Sequence, residues 1–319
     1  MSQSSIVYRL PGSNQIQASY IQEGEETFII HPFDRLKQAI QLKGVSKSVL
    51  HSEAKEIIDA WSLPEWTGAD VNSVDYTSIV AKAIEQIKAG SFDKVVLARQ
   101  QLIPSETKVS EVFNSLEQRY PDAFVYAFCI GDMAMLGASP ETLLSYENAH
   151  LKTEALGGTR THGVYTEKEY QEHQQIVEYI TEGISKLDYT CMVMPVQERV
   201  AGKVEHLRSE IVIDSRGLEN DLRLLQVLHP TSAVCGMPYE ASVKFIKNNE
   251  GFDRGFYAGY LGLVKEHTTF KFFVNLRCAS FFRGVYVLSA GAGINHLSVP
   301  EDELEETNNK FQTIAQCLK

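Results

Sequence analysis

The chain has 319 residues, long enough to bury a substantial core, and its 44% hydrophobic and 22% charged content is that of a soluble globular protein. A formal net charge of −11 and a pI of about 5.4 exclude a phosphate-backbone binder, which needs a basic surface. The five cysteines (Cys129, Cys191, Cys235, Cys278, Cys317) are scattered without a C-x-x-C, which excludes a disulfide framework or zinc pattern and suits a reducing cytoplasm.

The N-terminus, Met1 to Leu10, lacks a charged segment followed by an apolar run, and no stretch reaches about 18 uninterrupted apolar residues. Neither secretion nor membrane spanning is expected. Short strands are predicted at 5–9, 16–21 and 27–31, broken by Pro11-Gly12 and Gly24-Glu25 turns. Residues 45–62 read as a helix. Tyr76, Ile79, Val80, Ile84 and Ile87 form a helical stripe that Gly90 ends, and 93–99 follows as a strand. Further strands are predicted at 122–130, 133–138 and 142–146, then a helix from about 167 to 187 with Tyr170, His173, Val177, Ile180 and Ile184 on its inner face. Another helix lies near 218–228. An apolar stretch at 256–265 precedes strands 268–279 and 283–290. A last helix, 300–318, buries Leu304, Phe311, Ile314 and Leu318. Strands at hairpin spacing with irregularly interspersed helices give an α+β class in one continuous domain, 1–319. No Walker A or Rossmann glycine pattern follows a strand, which disfavours nucleotide binding.

Two glutamate pairs, Glu169/Glu172 and Glu303/Glu306, carry the chemistry. An i,i+3 spacing puts both carboxylates of a pair on one helix face. Four carboxylates brought together would repel by about 4 kcal/mol per pair at roughly 4 Å and an effective dielectric near 20, and a bound cation reverses that sign. Ordinary roles also fit. Thr166 with Glu169, and Ser298 with Glu301, read as capping boxes, and Glu306 with Lys310 is a favoured i,i+4 pair. At about 100° per residue, however, both pairs flank their helices' buried stripes, where a cleft is better served than open water. Hard oxygen ligands there suit Mg²⁺.

Lys94 opens a strand whose next residues are apolar on both faces; it either snorkels to water or is a desolvated base. Glu141 in Ala-Ser-Pro-Glu is a turn carboxylate or a general acid. The segments Gly157-Gly-Thr-Arg160 and Ser289-Ala-Gly-Ala-Gly-Ile294 read as small-residue loops that let backbone approach a ligand. Arg277, inside an apolar strand, needs a buried glutamate or a bound carboxylate as partner. His229 in Leu-His-Pro-Thr reads as a positioning residue at a helix end.

The motifs Lys-Val-Val-Leu-Ala-Arg, Ala-Ser-Pro-Glu, Gly-Gly-Thr-Arg, Lys-Glu-x-x-Glu-His, Leu-His-Pro-Thr-x-x-x-x-Gly-x-Pro, Arg-Gly-Phe-Tyr-Ala-Gly, Leu-Arg-Cys-Ala, Ala-Gly-Ala-Gly-Ile and Glu-x-x-Glu-Thr-x-x-Lys occur in an order that resembles the chorismate-utilising enzymes. The resemblance covers roughly 75–318 and leaves 1–74 as a shortened N-terminal part. It implies one large domain of stacked, mostly antiparallel β-sheets with helices packed outside. It also implies a Mg²⁺ cofactor and chorismate as substrate. In that pattern Lys94 matches the base that activates water for attack at C2, and Glu141 the acid that protonates the departing C4 hydroxyl. Glu172 and Glu306 match direct Mg²⁺ ligands, with Glu169 and Glu303 acting through water. Tyr257 and Arg277 match groups that hold the enolpyruvyl carboxylate. Gly158, Thr159, His229, Gly291, Gly293 and Lys310 complete the substrate site. Relatives that use ammonia resemble this chain but carry glutamine at Lys94, and the aminodeoxychorismate branch carries a lysine where Gly157 stands. The resemblance therefore implies water as nucleophile, isochorismate as product, and no obligate glutamine amidotransferase. A monomer or homodimer is expected. Salicylate synthases match equally at Lys94 and Glu141 and remain the alternative. A non-catalytic paralogue that only binds Mg²⁺ or chorismate is the rival from another class. Menaquinone and siderophore pathways are both open.

Overall fold

A computed structural model describes residues 5–68, 71, 74–160, 165–201, 204–214, 222–265 and 269–318. Sixteen strands form one sheet. In chain order they are β1 (Ser5–Arg9), β2 (Ile16–His31), β3 (Ile40–Val49), β4 (Lys94–Pro104), β5 (Phe124–Ile130), β6 (Met133–Ser139), β7 (Thr142–Glu147) and β8 (His150–Arg160). The second half adds β9 (Cys191–Val193), β10 (Gln197–Ala201), β11 (Val204–Ile213), β12 (Gly236–Met237), β13 (Tyr260–Lys265), β14 (Thr269–Val274), β15 (Cys278–Phe282) and β16 (Val285–Ile294). The helices are α1 (His51–Asp59), α2 (Tyr76–Lys88), α3 (Val109–Arg119), α4 (Glu167–Ser185), α5 (Arg223–Leu228), α6 (Tyr239–Asn249) and α7 (Pro300–Ala315). The strand order is β10-β11-β8-β7-β14-β13-β2-β1-β5-β6-β15-β16-β4-β12, with β3 beside β2 and β9 beside β11. Every pairing among the described residues is antiparallel.

Strand alternation sorts side chains into two cores. Ile6, Tyr8, Tyr126 and Phe128 point into one, which also takes stripes from α2, α4, α5 and α6. Val7, Val125, Ala127 and Leu136 point into the other, covered by α1, α3 and α7. The sheet folds over the first core, so that Phe124 of β5 stacks on Phe273 of β14 with ring centroids 4.3 Å apart. Such a pair adds about 0.5–1.5 kcal/mol beyond its buried area. The expected α+β architecture in one domain is therefore observed. No helix among the described residues is long and apolar enough to cross a membrane.

Several local expectations are corrected. The predicted turn at Gly24-Glu25 does not end the strand; β2 runs through it, and the interruption is a bulge in which Ile21 and Glu26 both pair with Gly44. A Cβ on Gly24 would lie 2.2 Å from the Gly44 carbonyl oxygen, so the glycine lets two strands touch rather than turning the chain. Residues 40–49 form β3 instead of the start of a helix, and only 51–59 are helical. The strand expected over 268–279 is two strands. Asn275 leaves the ladder to bond the 256–259 turn: its N–H reaches the Gly259 carbonyl at 2.8 Å, and its Nδ2 the Phe256 carbonyl at 2.9 Å. Arg277 then adopts φ +50°, a left-handed conformation that costs a non-glycine residue about 1–3 kcal/mol. It lies in this break, not inside a strand. The two small-residue segments expected as loops are strand, forming the C-terminal ends of β8 and β16. On α4, Tyr170 is exposed rather than on the inner face, while His173, Val177, Ile180 and Ile184 are buried.

Candidate active site

The β4–β16 ladder builds the floor. Its register sets Val96 opposite Gly293 and Ala98 opposite Gly291, and these two glycines share one face of β16. A Cβ on Gly293 would lie 3.2 Å from Lys94 Cε, so the lysine stem crosses the strand where side-chain bulk is missing. Lys94 Nζ ends 3.1 Å from Glu172 Oε1, with side-chain exposures of 21% and 30%. The lysine neither snorkels to open water nor is sealed off.

At Gly291 a Cβ would lie 3.1 Å from the Tyr257 hydroxyl oxygen. Lys310 Nζ donates to the Gly291 carbonyl at 2.7 Å and pairs with Glu306 Oε1 at 2.6 Å, the i,i+4 contact expected. Burial pushes the Lys310 ammonium pKa down, against the pull of Glu306. Tyr257 is buried, and burial raises its phenol, with Arg254 opposing. Arg277 Nη1 donates to Thr313 Oγ1 at 3.3 Å; burial lowers its guanidinium pKa, while Tyr257, Tyr120 and Glu306 act to raise it. Burial also raises the Glu303 carboxyl, with a Ser298 hydrogen bond opposing and Glu306 adding to the rise. One string of contacts thus runs Glu172–Lys94–Gly293 and Gly291–Lys310–Glu306, with Tyr257 over Gly291 and Arg277 in the field of Tyr257.

The other expected residues are placed differently. Glu169 accepts the Thr166 N–H at 2.7 Å, so it closes the capping arrangement read from the sequence. The second capping box does not form. Pro300 occupies the first helical position of α7, so Val299 is the N-cap, and Ser298 serves Glu303 instead of Glu301. Glu141 sits in the turn between β6 and β7; its N–H reaches Ser139 Oγ at 3.4 Å, and its carbonyl accepts Val274 N–H at 3.0 Å. This turn neighbours the Asn275–Arg277 break, since Ala138 N–H bonds the Arg277 carbonyl at 3.1 Å. Gly158 and Thr159 lie on β8 beside β11, and the Thr159 side chain is outside what the structure describes.

His229 ends α5, and its Nε2 lies 2.9 Å and 3.1 Å from the Pro32 and Phe33 carbonyls. Two acceptors require Nε2 to carry the proton, which makes this histidine a tether for the end of β2. Burial, with His31 adding, lowers its pKa from 6.5 to about 3. The fold thus needs the neutral ring, while the unfolded chain protonates first. Stability should fall as pH drops from 6.5 toward 3, with His229 contributing about 1.4 kcal/mol per pH unit. Urea titrations at several pH values check this, and His229→Asn should flatten that slope; an unchanged slope rejects it.

The donor chemistry fits a hard divalent cation: four carboxylates on two helices, of which Glu172 and Glu306 each hold a lysine ammonium beside the β16 glycines. No group of three or more His, Cys, Asp or Glu among the described residues is drawn together tightly enough to hold a metal. Glu172 and Glu306 are each compensated by a lysine ammonium. Two contributors escape sequence reading. By sequence Tyr76 counts only as a core residue, yet its hydroxyl donates to the Leu97 carbonyl at 3.0 Å, and its phenol pKa is raised by burial and then by Glu303. It walls off a cavity of about 290 Å³ lined by Ala98, Arg99, Glu250 and Leu304. The second, the Glu250–Arg254 pair, is signalled by an i,i+4 spacing of opposite charges that leads into the Arg-Gly-Phe-Tyr-Ala-Gly motif.

A family model described as chorismate binding enzyme matches residues 26–319. The salicylate biosynthesis isochorismate synthase of Pseudomonas aeruginosa is 34% identical over 258 residues, covering 75% of this chain and 53% of that protein. Isochorismate synthase MenF of Escherichia coli is 33% identical over 260 residues, covering 76% and 60%. The chain thus spans between half and two thirds of the length of these curated relatives. The solved structure of MenF from Escherichia coli superposes with a TM-score of 0.81 at 25% identity, covering 100% of this chain and 89% of that one. With its β16 floor, its glutamate pairs and a family match that takes in both, the chain belongs to the chorismate binding enzyme family.

Proposed function

We propose that this chain isomerises chorismate to isochorismate with a Mg²⁺ ion. The observation that carries the reading is Lys94, held by the Gly293 gap and Glu172 on the same face of β16 where Tyr257 and Lys310 meet Gly291. A lysine at this position matches water as nucleophile. Glycine at 157 also supports this, because a Cβ there would lie 2.1 Å from Ile176 Cδ1, so any side chain at 157 requires that isoleucine to shift.

Lys94 acts as the base that takes a proton from water as the water oxygen bonds to C2. The ring double bond shifts and the C4–O bond breaks. Glu141 delivers a proton to the departing hydroxyl, which leaves as water, so one water enters and one leaves. Each of the two groups supplies about 10²–10⁴-fold. Arg277 and Tyr257 hold the enolpyruvyl carboxylate: a desolvated guanidinium whose described partner is a single hydroxyl has fork donors to give. Lys310, fixed between Glu306 and the Gly291 carbonyl, places positive charge beside the substrate. Glu172 and Glu306 would hold the metal directly, and Glu169 and Glu303 through its waters. The ion would neutralise the ring carboxylate.

Incubating pure protein with chorismate and Mg²⁺, then separating products, tests the reading. Isochorismate alone supports it, salicylate with pyruvate replaces it by the salicylate-forming alternative, and no turnover with either water or ammonia rejects both. A smaller prediction follows at Gly293. Alanine there pushes on Lys94 Cε, so Gly293→Ala should lower kcat by about 10-fold or more, while thermal stability changes little. Unchanged kcat in that variant means the lysine's path over Gly293 does not matter.

A further inference from the structure

The edge of β4 that faces away from β16 is closed in an unusual way. β12 pairs only with Lys94 and Val95, and the Val96 N–H bonds the Cys235 carbonyl at 2.9 Å. Beyond that point a side-chain pair takes over. Arg254 Nη2 donates to the Val96 carbonyl at 2.7 Å, and Glu250 Oε1 accepts the Ala98 N–H at 2.7 Å. The carbonyl of one residue and the N–H two residues on share one strand edge, so donor and acceptor stand where a neighbouring strand's peptide groups would be. Arg254 Nε bonds Glu250 Oε2 at 2.8 Å, Nη2 also bonds Glu250 Oε1, and Nη1 bonds the Val234 carbonyl at 2.8 Å. Phe33 lies 4.3 Å below the guanidinium carbon. Side-chain exposures are 2% for Arg254 and 1% for Glu250.

The pair touches both sides of the site. Val96 is two residues after Lys94. On the other side, the Arg254 carbonyl accepts the Tyr257 N–H at 2.9 Å, closing the turn that carries Tyr257 over Gly291. We propose that Glu250 and Arg254 are positioning residues that fix the separation between the Lys94 strand and the Tyr257 turn. This rests on the roles given above to Lys94 and Tyr257. Glu250 lines the cavity beside Tyr76, and no contact joins either residue to Lys94 or to the Tyr257 hydroxyl among the described contacts, so both act through the backbone they hold. A buried ion pair is weak as a source of stability, since apolar groups of similar volume replace such pairs at little or no cost. Its value here is geometric: backbone carbonyls and an N–H from separate segments are tied to a single rigid fork.

The test is Glu250→Met/Arg254→Met in the full chain, assayed with chorismate and Mg²⁺ beside the wild type, with thermal melting of both. The expected result is a folded variant with a lowered melting temperature, since the Ala98 N–H and the Val96 and Val234 carbonyls lose their partners, and with kcat lowered by about 10–100-fold and KM raised severalfold, because both the base and the carboxylate-binding tyrosine lose register. A purely structural role would reduce the active fraction and leave KM alone. Glu250→Gln, which keeps an acceptor for Ala98 N–H, should stay near wild type. Should the double variant not fold, Arg254→Lys carries the test, since one nitrogen cannot hold both Val96 and Val234. Wild-type kcat and KM in a folded variant overturn the proposal, and so does failure of both variants to fold, which assigns the pair to stability alone. An inactive wild type instead rejects the function proposed above, so the two failures are distinguishable.

Discussion

Lys94→Ala is expected to lower chorismate turnover by about 10²–10⁴-fold while leaving the fold intact. The size follows from the role: losing a positioned base removes about 2.7–5.5 kcal/mol of transition-state stabilisation. The stability side is small. Alanine gives up a partly exposed ion pair with Glu172, and pairs of that kind are worth at most about 1 kcal/mol. The strand itself stays in place, since Val95 and Val96 remain paired with Ile294 and Gly293, and Glu250 with Arg254 holds the other edge. Lys94→Gln sharpens the test, because glutamine can still donate to Glu172 and fill the Gly293 gap but cannot accept water's proton. Both variants should melt within a few degrees of wild type and show the same loss in kcat. Turnover within a few-fold of wild type in either one removes Lys94 as the base.

Lys94 is legible in the sequence while its partner is not, and the reason is the range of the information. A lysine ahead of Val-Val-Leu-Ala is conspicuous because the following residues are buried on both faces, and that is local. Its contact with Glu172 comes from a helix 78 residues on, and the glycine that makes room for it from a strand roughly 190 residues later in the chain. The helices show the same division. The α2 stripe, capped by Asp75 and ended at Gly90, is readable because amphipathic spacing and end signals coincide. β3 reads wrongly as helix because it is paired on one side only and half exposed, so the alternation that marks a buried strand is weak. The glycines of β8 and β16 look like loops because composition alone does not distinguish flexibility from close approach; the atoms of Ile176, Tyr257 and Lys94 decide it. Arg277 is recognisable as a guanidinium in need of a partner, but its left-handed backbone follows from Asn275 leaving the ladder, which no spacing announces.

Metal affinity should separate the four glutamates into two ranks. Calorimetric titration of Mg²⁺ into Glu172→Gln or Glu306→Gln is expected to show a loss exceeding about 100-fold, because a direct ligand and its charge are removed together. Glu303→Gln and Glu169→Gln should each lose about 10–100-fold, the range for groups that act on a metal through an intermediate. Stability distinguishes these changes from unfolding. Gln at 169 can still accept the Thr166 N–H, so the start of α4 is preserved. Gln at 303 removes a carboxyl whose pKa burial already raises, which makes the substitution neutral or stabilising. The lysines give the opposite sign. Lys310 pairs with Glu306 at 2.6 Å and Lys94 with Glu172 at 3.1 Å, so a cation bound by these carboxylates would compete with both ammonium groups. Lys310→Met should therefore tighten Mg²⁺ binding even as it impairs substrate binding. Equal Mg²⁺ affinity in wild type, Glu172→Gln and Glu306→Gln would show that the ion is held elsewhere.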